Sequence, residues 1–218
     1  MEHMTVEGVL GARVEIDLCS RCRAFWFDPF ETVHLTPAST LKIFGLIADQ
    51  SSPAPEAFPS DSYCPKCGMR LHLAHDRQRN TPFQYWRCEQ EHGRFTPFID
   101  FLREKEFVRA LSPEQMTELR QNIRIVNCSN CGAPIDLTHD SVCAHCGAAV
   151  SMIDMKKMVE LAKSAGNAAA AQTAPPPAHD ASQLAALLLT QQSRTSSSVN
   201  LIDIGLQAVA DWLTNLAE

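Results

Sequence analysis

Aromatic residues are scarce in the second half of this chain. Ten Phe, three Trp and two Tyr occur in 218 residues, and beyond Phe107 only Trp212 remains. One large core spanning the chain would lack its bulkiest filling, so several small units are expected instead. Long apolar runs are missing too. No stretch approaches the ~18 residues a transmembrane helix needs, so no membrane insertion is expected. The N-terminus, MEHMTVEGVLGARVEID, has no signal-type apolar run, and export is not expected. Cations are few at both ends. Residues 1–60 carry 4 basic and 8 acidic side chains, residues 125–218 again 4 and 8, and only residues 61–124, with 11 and 9, lean positive. A surface built to hold phosphate backbones shows a broader basic field than this. Catalytic signatures are absent as well. There is no H-E-x-x-H, no H-x-E with P-C-x-x-C, and no Gly-rich phosphate loop, so an enzyme is not expected.

What the chain has is cysteine. There are nine, and eight fall in C-x-x-C pairs. Redox C-x-x-C motifs sit in a βαβ context, which this sequence does not show. The pairs read instead as metal ligands in a reducing compartment, which points to the cytoplasm. The clearest set is Cys128-x2-Cys131-x11-Cys143-x2-Cys146. Each pair forms a tight turn aiming two sulfurs at one point, and Gly132 and Gly147 relieve the backbone where it curls back. Eleven residues between the pairs allow a short hairpin. Four thiolates then enclose a zinc ion, with iron as the alternative occupant. A second set is Cys64-x2-Cys67-x20-Cys88-x3-His92, with imidazole in place of the last thiolate. His72 and His75 lie on a strand without a partner cysteine and read as solvated.

Cys19 and Cys22 make only half a site. His3 lies across an expected hairpin and His34 lies beyond the knuckle. Two cysteines with both histidines could complete a third zinc site; Asp17 and Asp28 are weaker candidates, and a metal-free pair is the remaining reading.

Periodicity organises the rest. Residues 1–50 read as a β-hairpin followed by a helix with Thr36 as cap, Pro37 at its first position, and Leu41, Phe44, Ile47 and Ala48 on one face. Residues 51–62, SSPAPEAFPSDS, read as a linker. Residues 63–124 hold two strands, RLHLAH and FQYWRC, then a helical pattern in Phe98, Phe101, Leu102 and Phe107. A second helix follows, with Ser112 and Gln115 as a capping box and Met116, Leu119 and Ile123 as its stripe. Residues 125–163 read as a compact ribbon plus a helix capped at Ser151, with Met152, Met155, Val159 and Ala162 aligned. An Ala/Pro-rich linker, 164–180, precedes a C-terminal helical segment, 181–218. There Ile202, Leu206, Val209, Leu213 and Leu216 recur at heptad-like spacing. The expected fold class is therefore a small metal-stabilised α+β chain: tandem zinc ribbons joined by helices, ending in an amphipathic helix.

The stretch GVLGARVEIDLCSRCRAFWFDPFE resembles the bacterial transcription-factor-IIB-type zinc ribbon family. Val14, Glu15, Ile16 and Asp17 match its strand, Cys19 and Cys22 its second knuckle, and Trp26, Asp28 and Glu31 its tail. The resemblance implies a first knuckle at the extreme N-terminus, where only His3 offers a donor. Either that site has decayed or the chain starts a few residues late. The resemblance also raises nucleic-acid or transcription-associated binding as an alternative function. Charge disfavours it: residues 64–98 hold six basic and three acidic side chains, and Asp136 and Asp140 are the only formal charges of the third ribbon. Tyr85 and Trp86 are expected to pack the second small core rather than stack bases. The reading is a non-enzymatic adaptor. Its partner is another protein, or itself through the C-terminal helix, which could equally dock on the body of the chain.

Overall fold

The computed structural model describes residues 1–49, 61–79, 81–166 and 200–217. Residues 51–60 of the linker expected at 51–62, and the segments at 167–199, including the helical piece at 181–192, lie outside the described residues. The fold is α+β and divides into two compact units, Met1–Glu106 with Leu161–Gly166, and Phe107–Glu160 with Asn167–Glu218.

The first unit is built on a six-stranded sheet in the order β1-β2-β3-β6-β5-β4, every neighbouring pair antiparallel. The strands are β1 (Glu2–Glu7), β2 (Arg13–Cys19), β3 (Ala24–Phe27), β4 (His72–Gln78), β5 (Thr81–Arg87) and β6 (Arg94–Pro97). Alternation in β2 puts Val14, Ile16 and Leu18 into the core, as the sequence pattern requires. The expected hairpins β1–β2 and β4–β5 are both present. β6 was not expected; it slots between β3 and β5 and joins two three-stranded meanders edge to edge. Residues 1–49 and 63–79 with 81–106 thus share one sheet and one unit.

Strand β3 is buried throughout. On one face Phe25 and Phe27 meet Phe98 and Phe101 of α3 (Phe98–Glu104), with Phe25–Phe98 ring centroids 4.6 Å apart. On the other face the register aligns Trp26, Phe95, Trp86 and Leu73 across β3, β6, β5 and β4. Between β3 and β4 lie α1 (Glu31–His34) and α2 (Pro37–Asp49). Thr36 Oγ1 accepts the Ser39 N–H at 3.1 Å, the expected cap. The buried face of α2 is Thr40, Ile43, Phe44 and Ile47, with Leu41 only half-buried.

The second unit starts at β7 (Val108–Ala110), so the helical reading of Phe107 fails: α3 ends at Glu104 and the chain turns extended. α4 (Pro113–Asn122) carries the Ser112/Gln115 capping box and buries Met116 and Leu119. β8 (Ile125–Asn127) and β9 (Pro134–Asp136) pair as a small hairpin. Ser151 does not cap a helix. It begins β10 (Ser151–Ile153), which pairs with β7, and Asp154 caps α5 (Met155–Ser164) by accepting the Lys156 N–H at 3.1 Å. The final helix, α6 (Leu201–Ala217), is capped by Asn200. Its Ile202, Leu206 and Val209 are buried and Leu213 is half-buried. Leu201 and Ile204 join a core with Met116, Leu119, Val126 and Ile135. Among the described residues no helix is long and apolar enough to cross a membrane.

Helix α6 passes close to β10 at Gly205. A Cβ there would lie 2.8 Å from Ile153 Cγ1 and 3.1 Å from its Cβ. Overpacking of this kind costs roughly 1–3 kcal/mol. Gly205→Ala should lower unfolding stability by that order in denaturant titration, and adding Ile153→Ala should lessen the cost of the alanine at 205.

Candidate metal centres

Two clusters bring four metal-ligating atoms within 4.8 Å of one another: Cys64, Cys67, Cys88 and His92 in the first unit, and Cys128, Cys131, Cys143 and Cys146 in the second. In the first, Cys67 Sγ lies 3.6 Å from Cys88 Sγ, and His92 Nδ1 lies 3.7 Å and 3.9 Å from the sulfurs of Cys88 and Cys64. In the second, Cys128–Cys146 and Cys131–Cys143 are each 3.6 Å apart. A tetrahedron with ~2.3 Å metal–sulfur bonds has edges of ~3.8 Å, so both sets fit one ion each.

One backbone device builds three of the four knuckles. The N–H of the leading cysteine bonds the carbonyl five residues on: Cys64 to Met69, Cys128 to Ala133 and Cys143 to Ala148, each at 2.8 Å. The residue four positions on is glycine at φ of 70° to 73°. That left-handed backbone is reached without a Cβ penalty. The Cys88 knuckle keeps the same closing bond, Cys88 N–H to Gly93 carbonyl at 3.0 Å. It differs inside, with Glu91 at φ 56°. His92 takes the position that glycine holds elsewhere, and the longer imidazole reaches the cluster from one residue farther out.

The electrostatics call for a cation. In the four-cysteine set, desolvation, then the Cys146, Cys143 and Cys128 thiols, push Cys131 up to about 12, against the Ala133 N–H. Desolvation also acts on Cys146, but the Ala148 N–H, Asn130 and the neighbouring thiols hold it down at about 7. Four sulfurs this close cannot all ionise without a positive charge among them. In the mixed set, burial raises the Cys88 thiol, yet the backbone N–H groups of His92 and Gln90 bring it below its ordinary value.

The Cys19–Cys22 pair does not complete a third cluster. Strand pairing places His3 opposite Asp17, and His3 Nδ1 lies 3.1 Å from Asp17 Oδ1 rather than with the thiols. His34 is exposed at the end of α1. The Cys22 thiol is raised by desolvation and then by Cys19 beside it. Among the described residues no third donor joins these two. Asp28 is occupied elsewhere: it accepts the Trp26 indole N–H at 3.0 Å and pairs with Lys66, which sits between Cys64 and Cys67.

Trp26, Asp28 and Glu31 thus have concrete roles here. The Glu31 carboxylate accepts the Asp28 N–H at 2.6 Å and the Glu15 N–H at 3.1 Å, tying β2 to the turn after β3. Trp26 is buried with Cys64, Leu71 and Cys88, and the half-buried Trp86 and Phe95 pack against them. Trp86 therefore joins the small core as expected. Tyr85 is half-buried, with the Arg94 guanidinium 4.6 Å over its ring. Gly93 was missed by sequence reasoning, although the glycine following three of the four C-x-x-C pairs was a signal for it.

A Cβ at Gly93 would lie 2.4 Å from the Phe27 carbonyl oxygen and 2.8 Å from the Trp26 ring. Gly93→Ala should therefore cost at least ~2 kcal/mol. In native mass spectrometry it should lose the metal of the mixed cluster while keeping that of the four-cysteine cluster. Set beside protein-family models, curated proteins and solved structures, the chain matches none of them.

Proposed function

We propose that the chain is a non-enzymatic adaptor of zinc-ribbon modules, working in a reducing compartment such as the cytoplasm and binding another protein. The observation that carries this is the closure of both donor sets. Each cluster supplies four protein donors, so no coordination position remains for a water or substrate. Thiolate and imidazole donors at tetrahedral spacing suit zinc. Such an ion supplies ~10–16 kcal/mol of apparent binding energy to a small domain, which is folding energy here. It adds to the core that Val126 of β8 and Ile135 of β9 share with α4 and α6.

The surface supports a protein partner over a nucleic acid. Four of the six basic side chains in residues 64–98 already face carboxylates: Lys66 pairs with Asp28, Arg70 with Asp61, Arg79 with Glu106 and Arg94 with Glu104. Little free positive charge is left for phosphate contacts. Apolar side chains are exposed instead. Leu10 is fully exposed, and Phe30 and Val33 are 75% and 66% exposed. Leu10 and Phe30 both sit on left-handed backbone, at φ 58° and 68°. The Gly8–Leu35 bridge ties the hairpin turn that carries Leu10 to the end of α1. Contiguous apolar groups held in solvent mark protein contact sites.

Metal analysis of the purified chain should give one zinc for each of the two clusters. An iron-loaded chain, recognisable by its visible thiolate-to-iron absorption, would overturn the zinc assignment. Fluorescence anisotropy with mixed-sequence DNA and RNA, from about 50 to about 200 mM salt, should show only weak binding. Tight binding with a steep salt slope would overturn the adaptor reading.

A further inference from the structure

The two clusters differ in how their sulfurs meet solvent. In the four-cysteine cluster Cys131 and Cys146 are exposed, while Cys128 and Cys143 are 3% and 2% exposed. In the mixed cluster Cys67 is the one exposed thiol. Four thiolates around a divalent ion also leave more negative charge on sulfur than three thiolates and an imidazole. The second-unit cluster is thus the more open and the more nucleophilic of the two.

Its buried half is also part of the seat of α6. Cys128 and Cys143 share one apolar core with Leu201 and Ile204. A small cavity lined by Cys128, Ile135, Val150, Asn200 and Leu201 lies where the knuckle meets the start of the helix. Strands β8 and β9, at three residues each, are too short to hold that core unaided. α6 buries six apolar side chains, Leu201, Ile202, Ile204, Leu206, Val209 and Trp212, all at most 6% exposed, and Leu201 and Ile204 are the two that share the core of Cys128 and Cys143.

We propose that the four-cysteine site is a hydroperoxide-sensitive latch whose oxidation expels the metal and frees the apolar face of α6. This rests on the reading of that site as zinc-loaded. The exposed thiolate of Cys131 or Cys146 attacks the peroxide. An S–O bond forms, the O–O bond breaks, hydroxide leaves, and the sulfur becomes a sulfenic acid. Its neighbour 3.6 Å away, Cys143 for Cys131 or Cys128 for Cys146, then attacks that sulfur. An S–S bond forms, the S–O bond breaks and a second hydroxide leaves. Two thiolates have together lost two electrons, and the peroxide has gained them. The ion keeps only two protein ligands and dissociates. Each disulfide joins an exposed sulfur to a buried one across the two knuckles, so the core under α6 must rearrange.

The test titrates the zinc-loaded full chain with hydrogen peroxide, following metal release with a chromogenic chelator and amide hydrogen exchange by mass spectrometry. Metal is counted before oxidant is added; a chain without metal at that stage would count against the zinc reading, and the latch is tested only on loaded protein. The first equivalent of peroxide should release one zinc per chain and form one disulfide within Cys128, Cys131, Cys143 and Cys146. Exchange in Leu201–Ala217 should then rise at least tenfold while β2 and β3 stay protected. A dithiol reductant with added zinc should restore the protection. Release from the mixed cluster first, retention of metal after oxidation, unchanged exchange in α6, or failure to restore it would each overturn the proposal.

Discussion

Sulfur atoms held 3.6 Å apart on four short turns repel one another as soon as they ionise, and the knuckles that carry them depend on relieving that repulsion. A divalent ion at the centre of each set would turn it into attraction. Hydrogen bonds aimed at the sulfurs do part of the same work, such as the Asn130 N–H to Cys128 Sγ at 3.4 Å. The glycines of the knuckles, the short strands between them and the small cores on either side follow from the need to deliver four donors to one point. An ion in each set would close the units together with their apolar cores.

The first unit shows how a metal site and a conventional sheet can share their supports. The two meanders could each have been a separate module. Pairing of β3 with β6 makes them one sheet, and Trp26 from the first meander covers the cysteines of the second. The Trp26–Asp28–Glu31 network then reaches across to Lys66 inside the Cys64–Cys67 knuckle. A segment whose own thiols gather no third donor is thereby bound to a cluster that has all four.

Much of this was legible in the sequence, and what was not has physical reasons. Cysteine spacing located both clusters, because a ligand pair two residues apart fixes its own turn. The Ser112/Gln115 box and the Thr36 cap were readable because capping is local. Strand β6 was not, since Arg94–Pro97 is four residues with no alternation and ends in proline; only its neighbours β3 and β5 make it a strand. The same holds for β10, whose Ser151 looked like a helix cap until pairing with β7 claimed it. On α2 Phe44 and Ile47 face inward as expected, but Leu41 is only half-buried and Ile43 is buried beside them. His3 was read as a donor to the Cys19–Cys22 pair across the expected hairpin, whereas the β1–β2 register puts it opposite Asp17. Non-local pairing decided each of these points, and a single sequence does not carry it.

Strand β3 has one further consequence. Its four residues, Ala24, Phe25, Trp26 and Phe27, are buried without exception, and on one side its backbone is sealed only by β6. That seal belongs to the meander whose turn is pinned by Cys88 and His92. A chain stripped of the ion in the mixed cluster would therefore uncover a flat, aromatic strand edge with no charge along it. Such an edge is a template for strand addition by another copy. An ion held in the first unit would thus also be a safeguard of colloidal behaviour, keeping this buried aromatic tetrapeptide from finding its like.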